Sequence, residues 1–554
     1  MNMSVAEYVI HRLSQLGINK AFGVPGDFSF PIDDAIEDST CIDWVVSSNE
    51  LNAAYAADGY ARRKGYALLT VTYGVGLLSA LNGILGSYAH RLPIFVVAGS
   101  PSQRIVKKQW ITHHSLGYGR YDDFDAITNS AFCAQTTLNP QNVIEELERI
   151  ICTAFKECRP VFINISEEAG YMPILKTNNE MKAIEHLSVP KELDGALESI
   201  VTHLKQAKNP IAIISANISR YGLNKKMQAL IDKFELNFTI MPMDKGVLDE
   251  SSIYFVGIYS GQFSHPKEVK SFVESSDLII DFGGVVFEQF NTGFFSTDVS
   301  QATYIKISAH DVSIGSQVFN YVYIGDVIDG MSKHDFKTNN GRAPYPYEFM
   351  PLIGEGVESL KASNLFPRLQ RFFKSNDIVI SESGASCLNL SRLRLAHQVG
   401  FETQLLWGSI GWATPAALGV ALAEPDKRVV LVTGDGAHQM SFNEIAVMGR
   451  YQIKPVIFVI NNDAHGAEYL ISEKRMRYNE LPIISYNELP KVMGCTNWFT
   501  AKIDTVAQLD DVLDKINNSS TAAYVQLVVD ASEYQSLSHA LIDQAYQLDT
   551  PKKP

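Results

Sequence analysis

Oxygen-bearing side chains follow two apolar segments late in the chain. Residues 429–433 are followed by Gly-Asp-Gly, with Asp435 at its centre, and residues 456–460 by Asn-Asn-Asp, with Asn462 at its centre. If both segments are strands of one parallel sheet, these side chains lie at its carboxyl edge, where open α/β sheets bind ligands. A carboxylate and an amide oxygen suit Mg²⁺, with phosphate oxygens completing its octahedron. The sequence therefore predicts a magnesium–diphosphate site, although two ordinary turns would use the same residue types.

Segments that favour strands alternate with segments that favour helices over most of the chain. Ser4 and Glu7 form a capping box for a helix that ends near Gly17, and Ser441 with Glu444 predicts a second capping box. Helices are also predicted over residues 50–63 and 77–89. Strands are predicted near residue 21 and over residues 42–46, 68–72, 94–98, 211–214, 278–282, 304–307, 378–381, 429–433, 456–460 and 525–529. This alternation argues for parallel sheets that are covered by helices on both faces.

The alternation is interrupted twice, and the interruptions divide the chain into three parts. Residues 167–190 and 333–347 have the composition of linkers. We therefore predict an α/β protein of three doubly wound domains with mainly parallel sheets, over residues 1–175, 190–335 and 350–554.

Composition excludes some classes of function and sets the expected compartment. The 554 residues include 47 basic and 61 acidic side chains, for a net charge of −14, and no basic run suggests a nucleic-acid partner. Six cysteines in so long a chain, none in a Cys-x-x-Cys pair, are expected to be reduced thiols of a cytoplasmic protein. The first residues have no secretory pattern, and the apolar runs are too short to span a membrane, so we expect no membrane partner.

A series of motifs resembles one enzyme family over nearly the whole chain. The motifs are FGVPGDF (22–28), NELNAAYAADGYAR (49–62), ALNG (80–83), GSYA (86–89), HHSLG (113–117), LWGSIG (406–411), and GDG followed by the asparagine pair. Together they resemble the thiamine-diphosphate-dependent 2-keto acid decarboxylases of the pyruvate and indolepyruvate decarboxylase group. The resemblance implies a pyrimidine-binding, a middle and a diphosphate-binding domain. It also implies thiamine diphosphate and Mg²⁺ as cofactors, a small 2-keto acid as substrate, and a homodimer at minimum, with a homotetramer expected.

The resemblance implies non-oxidative decarboxylation to an aldehyde and CO₂ through a carbanion at C2 of the cofactor and an enamine. Glu50 would protonate or hydrogen-bond N1′ of the aminopyrimidine, although a glutamate at a helix start is also favoured by the helix dipole alone. The acid–base set implied by the resemblance is Asp27, His113, His114 and Glu468. The cofactor contacts that it implies besides Glu50 are Thr72, Ser383, Gly408, Ile410, Gly434, Asp435, Gly436, Ala437 and Asn462. The implied metal ligands are Asp435, Asn462 and the Ala464 carbonyl.

Several positions depart from the family's pattern. Ala464 replaces a usual glycine, Ala437 replaces a frequent serine, and Leu77 stands where some relatives have glutamate. Alanine tolerates a left-handed backbone poorly, so Ala464 is the less regular match.

Two further departures concern the substrate. Ala467 precedes Glu468 where pyruvate decarboxylases carry isoleucine, and residues 385–388 lack the group's aromatic side chains. We therefore predict a pocket that Cys387, Leu388 and Ala467 line and that accepts substrates larger than pyruvate, although the cysteine could equally be inert packing.

Two other functions remain open from the sequence. One is a thiamine-diphosphate-dependent carboligase similar to acetolactate synthase, but such relatives usually bind FAD and lack paired histidines such as His113 and His114. The other is a non-catalytic homologue, against which the retained Glu50, Asp27 and Glu468 argue.

Overall fold

The computed structural model describes residues 3–174, 188–338, 341–345, 348–468 and 476–529. Within these residues the chain forms three β-sheets, two of them wholly parallel and the third mainly so. This architecture confirms the predicted class of three α/β domains with mainly parallel sheets.

The first sheet has six parallel strands in the order β2-β1-β3-β4-β6-β5. The strands are β1 (Lys20–Gly23), β2 (Asp43–Val46), β3 (Ala67–Thr72), β4 (Ile94–Ser100), β5 (Ala134–Leu138) and β6 (Val161–Ser166). The helices of this part are Val5–Gln15, Phe30–Glu37, Glu50–Lys64, Val75–Ala89, Gln103–Lys108, Asp122–Thr128, Val143–Glu157 and Glu167–Gly170. The first helix buries Val9 and Leu13 against Leu68 and Phe95 of the sheet. Its predicted capping box is confirmed, because Ser4 accepts a hydrogen bond from the Glu7 amide and Glu7 accepts one from the Ser4 amide.

The second sheet has seven strands in the order β13-β12-β11-β10-β7-β8-β9. The strands are β7 (Pro210–Ile214), β8 (Phe238–Ile240), β9 (Phe255–Ile258), β10 (Leu278–Phe282), β11 (Thr303–Ile307), β12 (Asp311–Ile314) and β13 (Gln317–Asn320). The helices of this part are Pro190–Gln206, Asn217–Arg220, Asn224–Phe234, Glu268–Glu274 and Ile324–Met331. The antiparallel strands β12 and β13 extend one edge of an otherwise parallel sheet.

The third sheet is parallel, in the order β15-β14-β16-β17-β19-β18. The strands are β14 (Asp377–Ser381), β15 (Gly400–Thr403), β16 (Arg428–Gly434), β17 (Val456–Asn461), β18 (Phe499–Ile503) and β19 (Ala523–Val528). The helices in this part of the sequence are Ala362–Phe372, Ala385–Arg392, Ala413–Ala423, Asp435–His438, Glu444–Arg450, Leu489–Val492 and Val506–Asn517. Because β16 and β17 are adjacent, with Gly434 opposite Ile460, their carboxyl ends meet at one edge of the sheet.

The chain separates into two compact units. Unit 1 comprises residues 1–185, 407–426 and 441–453, and unit 2 comprises residues 186–406, 427–440 and 454–554. Unit 1 therefore contains the first sheet together with helices Ala413–Ala423 and Glu444–Arg450. Unit 2 contains the second and third sheets.

Every predicted strand is present, with bounds that differ by at most two residues. Two local predictions are wrong. Residues 167–170, predicted as the start of a linker, form a short helix whose N-cap Ser166 accepts the Ala169 amide. The capping box at Ser441 does not form, because the N-cap of helix Glu444–Arg450 is Asn443, and the Ser441 hydroxyl donates to the Gly411 carbonyl. Parts of both predicted breaks, residues 175–187, 339–340 and 346–347, lie outside the described residues.

All six cysteines are free thiols. Among the described residues, no helix is both long and apolar enough to cross a membrane.

Candidate active site

Three ionisable side chains of the predicted acid–base set converge in unit 1. His113 Nε2 lies 2.8 Å from Asp27 Oδ2, and both side chains are about half exposed, at 57% and 46%. The His113 and His114 rings lie 4.5 Å apart at 76°, and one ligand atom from each of the three residues lies within 4.8 Å of the others. Adjacent side chains usually point apart, but His114 has a left-handed φ of +63°, which allows the two rings to converge. Such an uncommon backbone conformation is typical of functional sites.

Residues that the sequence analysis did not single out fix this cluster. The Phe28 ring lies 4.9 Å from the His113 ring and 5.1 Å from the Tyr73 ring. The Tyr73 hydroxyl donates to the His113 carbonyl. A Cβ on Gly74 would lie 2.3 Å from the His114 carbonyl oxygen, so only glycine permits the strand-to-helix loop to approach this closely.

Glu50 begins the helix Glu50–Lys64 directly after its N-cap, Asn49. A Cβ on Gly76 would lie 3.4 Å from Glu50 Oε1 and 3.1 Å from Thr72 Cγ2, so these two side chains flank the same stretch of backbone. Thr72 ends β3, and its buried Oγ1 has no hydrogen-bond partner among the described residues. Glu50 and Thr72 therefore place an ionisable oxygen and an unpaired hydroxyl near one point of unit 1.

Another glutamate, which is fully buried, lies beside the start of this helix. Glu444 is fully buried, and its Oε2 accepts hydrogen bonds from Asn52 Nδ2 at 2.9 Å and from the Ser48 amide at 3.3 Å. Burial raises the pKa of Glu444, and these donors oppose that shift. The Glu444 carboxylate therefore binds Asn52 and the Ser48 amide, and it does not form the predicted capping box with Ser441.

The Trp-Gly-Ser-Ile-Gly segment is also held within unit 1. Trp407 Nε1 donates to Asn82 Oδ1 at 2.8 Å, and Ser409 Oγ lies 2.6 Å from the Tyr55 hydroxyl. Between the anchored Trp407 and Ser409, Gly408 is exposed with φ +64°, and Ile410 is half-buried. The segment is thus fixed by its flanking side chains, which leaves the Gly408 backbone and the Ile410 side chain accessible.

The predicted metal ligands meet in unit 2 at the carboxyl ends of β16 and β17. Asp435 Oδ2 accepts hydrogen bonds from the Asp463 amide at 2.7 Å, the Asn461 side chain at 2.9 Å and the Asn462 amide at 3.0 Å. Asp435 Oδ1 accepts the Gly436 amide at 2.9 Å. Burial raises the pKa of Asp435, and these four donors oppose the shift. The carboxylate is therefore held in one orientation at the edge that the sequence predicted.

The backbone beside Asn462 differs from the expectation. The left-handed residue is Asp463, with φ +54°, whereas Ala464 has no positive φ. Asn462 Oδ1 accepts the Ala464 amide at 3.2 Å, and Ala464 itself is buried. The concern that alanine would strain this backbone is therefore removed.

The glycines of the same edge differ in their surroundings. A Cβ on Gly436 would lie 2.8 Å from His465 Nδ1, so the loop needs glycine for its own packing. A Cβ on Gly434 or Gly384 would meet nothing within 4 Å, so open space adjoins both backbones. Ala437 is buried in the short helix that follows Gly434.

A polar side chain that the sequence analysis missed lies near Ser383. The Ser383 hydroxyl donates to the Gln404 carbonyl at 2.9 Å. Gln404 is fully buried, and neither Oε1 nor Nε2 of its side chain has a hydrogen-bond partner among the described residues. A buried amide without partners costs about 1–3 kcal/mol, so it is the kind of group that a ligand satisfies.

The residues that were predicted to line the substrate pocket differ in how exposed they are. Ala467 and Glu468 are exposed, and Leu388 is half-buried. Cys387 is fully buried, and its thiol contacts Thr403 Oγ1 at 3.3 Å. This placement favours the alternative interpretation of Cys387 as inert packing. Leu77 is likewise buried, in helix Val75–Ala89.

Three family models match the chain in order. They are described as the N-terminal, central and C-terminal domains of thiamine pyrophosphate enzymes, and they cover residues 3–118, 197–333 and 383–527. Two curated relatives agree with them. An alpha-keto-acid decarboxylase of Mycobacterium ulcerans is 33% identical over 517 residues, which cover 92% of this chain and 90% of the relative. Pyruvate decarboxylase isozyme 3 of Saccharomyces cerevisiae is 33% identical over 522 residues, which cover 92% of each chain.

A solved structure has the same fold. Benzoylformate decarboxylase from Polynucleobacter necessarius superposes with a TM-score of 0.79 at 16% identity and covers 96% of this chain and 99% of its own. The three sheets and the matched models define a thiamine pyrophosphate enzyme. Within that class, the chain belongs to the thiamine-diphosphate-dependent 2-keto acid decarboxylases.

The residues present fit the cofactor of this family. The unpaired Thr72 hydroxyl and Gln404 amide are polar groups that a heterocycle or a diphosphate would satisfy. The open space beside Gly434 admits a phosphate to the backbone, and the oxygens of Asp435 and Asn462 are hard ligands for a divalent cation.

Proposed function

We propose that this enzyme converts a 2-keto acid larger than pyruvate into an aldehyde and CO₂, with thiamine diphosphate held through Mg²⁺. The observation that carries the proposal is the edge at β16 and β17, where four donors orient the Asp435 carboxylate beside Asn462. The membership of the family supports the cofactor and the reaction class.

Two sets of residues would hold the cofactor. Asp435, Asn462 and the Ala464 carbonyl would bind Mg²⁺, while the backbones of Gly434, Gly436 and Ala437 and the Ser383 side chain would face the diphosphate. Glu50, Thr72, the Gly408 carbonyl and Ile410 would hold the aminopyrimidine and fix the angle between the rings. When bound, thiamine diphosphate supplies a nucleophilic carbon and an electron sink.

The acid–base set would manage the proton that replaces CO₂. Asp27 and His113 share a 2.8 Å contact, so a proton on either group can pass to the other. His114 adjoins this pair, and its buried Nδ1 has no partner among the described residues. Two imidazoles and carboxyl groups in one cleft can deliver a proton and then recover one from a product hydroxyl. By resemblance, Glu468 belongs to the same acid–base set.

The proposed preference for a larger substrate rests on Ala467. Its side chain is exposed next to Glu468, and alanine leaves space for about three more carbons than isoleucine would. Each well-fitted methylene contributes about 1–3 kcal/mol to discrimination between substrates. Leu388 would border the same space, whereas the buried Cys387 would act on it only through packing.

Further parts of the proposal concern the assembly and the organisation of the chain. By resemblance, the pyrimidine- and diphosphate-binding domains that face one cofactor come from different subunits, so we infer a dimer at minimum and expect a tetramer. The domain bounds that we propose are residues 1–175, 190–335 and 350–554. Two exposed free thiols, Cys41 and Cys152, support a reducing compartment such as the cytoplasm.

The test is a panel of about a dozen 2-keto acids assayed by aldehyde detection, first on the wild type and then on Ala467→Ile. We expect a higher kcat/KM for a side chain of four or more carbons than for pyruvate, because the long chain fills space that pyruvate leaves empty. Ala467→Ile should lower the ratio of kcat/KM for the long substrate to kcat/KM for pyruvate at least tenfold. A tenfold change is about what the loss of one well-fitted methylene contact causes.

Ala507→Ile is the matched control, because Ala507 is exposed on helix Val506–Asn517 of the same unit. An unchanged ratio in Ala467→Ile would mean that Ala467 does not border the substrate. No aldehyde from any keto acid by the cofactor-loaded enzyme would overturn the proposed reaction.

A further inference from the structure

A cavity of about 290 Å³ lies within unit 2, and none of the residues that line it belongs to the edge that carries Asp435. It is bounded by the end of β9, by the segment 348–351 and by the last residue of helix Ala385–Arg392. A volume near 300 Å³ is at the small end of ligand pockets. The cavity therefore has room for one small organic molecule.

One wall of the cavity carries Arg392, which has no ion-pair partner in the part of the chain that the structure describes. The buried Nε of Arg392 has no hydrogen-bond partner among the described residues. Burial lowers the pKa of Arg392, as expected for a guanidinium that loses water and gains no carboxylate. The residue as a whole is half-buried, so its guanidinium has lost part of its water without gaining a paired carboxylate, and an anion beside it would be stabilising. Arg392 is therefore able to form an ion pair with a bound anion.

A second arginine at the same cavity, Arg394, has hydrogen-bond partners for its guanidinium. Arg394 donates to the carbonyl oxygens of Glu250 at 2.9 Å, Tyr345 at 2.7 Å and Phe255 at 3.1 Å. Its guanidinium also lies 5.0 Å from the centre of the Phe255 ring. Arg394 is thus a structural residue, and the contrast isolates Arg392 as the group with free binding capacity.

The surrounding charges leave the wall positive. Lys245 and Glu250 form a fully buried ion pair at 2.9 Å, so they cancel. Glu348 also lines the cavity, but its carboxylate, like that of Glu268, is exposed and is therefore screened by water. His265 also lines the cavity, and burial, with help from Arg392 and Lys245, lowers its pKa to about 4. At neutral pH its ring is uncharged and can donate one N–H to a ligand.

Most of the remaining lining is apolar, and the one further polar side chain, Gln370, is satisfied because it accepts the Met350 amide and donates to the Arg394 carbonyl. Phe255, Ile258, Pro266, Met350 and Pro351 form the walls away from Arg392. We propose that this cavity binds a small organic carboxylate, with its anionic head on Arg392 and His265 and a short apolar tail against these side chains. The proposal does not depend on the enzyme's reaction, because none of these residues belongs to the proposed cofactor or acid–base set.

The test first locates a bound carboxylate in the crystal and then measures its affinity in solution. Crystals of the full-length holoenzyme are soaked with 4-bromophenylacetate, and the bromine is located by anomalous scattering. In solution, calorimetry compares phenylacetate, its neutral analogue phenylacetamide and inorganic phosphate on the wild type. The same titrations are repeated on Arg392→Met, which lacks the positive charge, and on Arg392→Lys, which keeps it. Lys226→Met is the matched control, because Lys226 is exposed, pairs with Asp329 and lies in the same unit.

We expect bromine in the cavity of the wild type and of Lys226→Met, but none in Arg392→Met. We also expect phenylacetate to bind at least tenfold more tightly than phenylacetamide, with partial retention in Arg392→Lys. If Arg392→Met does not fold, the comparison of phenylacetate with phenylacetamide on the wild type still decides the role of charge. An empty cavity, equal affinity for the neutral analogue, or tighter binding of phosphate than of phenylacetate would each overturn the proposal.

Discussion

Asn461 holds the Asp435 carboxylate that we propose as a ligand of Mg²⁺, and its replacement by leucine is the most informative change that the structure suggests. Its side-chain amide donates to Asp435 Oδ2 at 2.9 Å and to Asp463 Oδ1 at 2.7 Å. Its own oxygen accepts Gln526 Nε2 at 2.6 Å. Asn461 and Gln526 are 5% and 1% exposed, so water cannot replace these bonds. Asn461→Leu therefore removes one of four donors to Asp435 and leaves Gln526 Nε2 without a partner.

Two effects of different size follow. A hydrogen bond to a charged group contributes about 1.5–3 kcal/mol, and the loss of a partner behind a metal ligand typically weakens metal binding about 10–100-fold. We therefore expect the affinity for Mg²⁺ to fall by about 10–100-fold, with most of kcat recovered at saturating metal. Separately, the unpaired Gln526 should lower stability by about 1–3 kcal/mol.

The double variant Asn461→Leu/Gln526→Leu separates the two effects. Replacing both partners of a buried hydrogen bond by apolar groups can be nearly neutral, so stability should recover apart from the loss of the long 3.3 Å bond from the Asn487 amide to Gln526 Oε1, while the metal affinity stays low. Gln526→Leu alone is the matched control, because it leaves the bond to Asp435 in place. The measurements are activity against free Mg²⁺ at saturating cofactor and thermal unfolding of the apoprotein. Wild-type metal affinity in Asn461→Leu would refute the role given to this network, and metal affinity that recovers with stability in the double variant would show a merely structural effect.

Three other predictions test the cofactor, its activation and the assembly. Dialysis against a chelator at raised pH should give an inactive protein that thiamine diphosphate and Mg²⁺ restore only together, because Asp435 and Asn462 would hold the diphosphate through the metal; turnover after verified removal of both would contradict this. Glu50→Gln should slow proton exchange at C2 of bound cofactor by orders of magnitude, measured by NMR, while binding persists. An unchanged exchange rate would leave Glu50 as a helix-start residue only. Sedimentation of the active enzyme should show a dimer or a tetramer, and a fully active monomer would exclude a cofactor site shared between subunits.

The sheets and the ends of their strands were predictable from the sequence because their signals are local. Buried parallel strands are short runs of β-branched and other apolar residues bounded by turn residues, as at 429–433 and 456–460. The position of Asp435 beside Asn462 then follows from the adjacency of β16 and β17. Local helix signals likewise predicted Glu50 at the start of a helix and Ser4 as an N-cap.

The supporting contacts could not be predicted, because each one joins residues that are distant in sequence. Glu444 has the spacing of a capping box with Ser441, yet its carboxylate binds Asn52, 392 positions away. The partner of Asn461 is Gln526, 65 positions away. Gln526 lies in a strand with no motif around it, and the motif that contains Asn52 does not indicate its partner, so only the fold brings these residues together. The convergence of His113 and His114 likewise depends on one left-handed backbone angle that the residue types do not specify.

The alanine at position 464 shows how the structure changes the meaning of a departure from a family pattern. Glycine at that position suggests a left-handed backbone, and an alanine there would then cost stability. In this chain the left-handed angle belongs to Asp463, whose carboxylate is held by Asn461 and whose amide donates to Asp435. Aspartate is among the residues that adopt this conformation most readily. Since a backbone carbonyl binds a metal whatever side chain its residue carries, Ala464 can serve as the third ligand without strain, and the substitution gives no reason to expect altered cofactor chemistry.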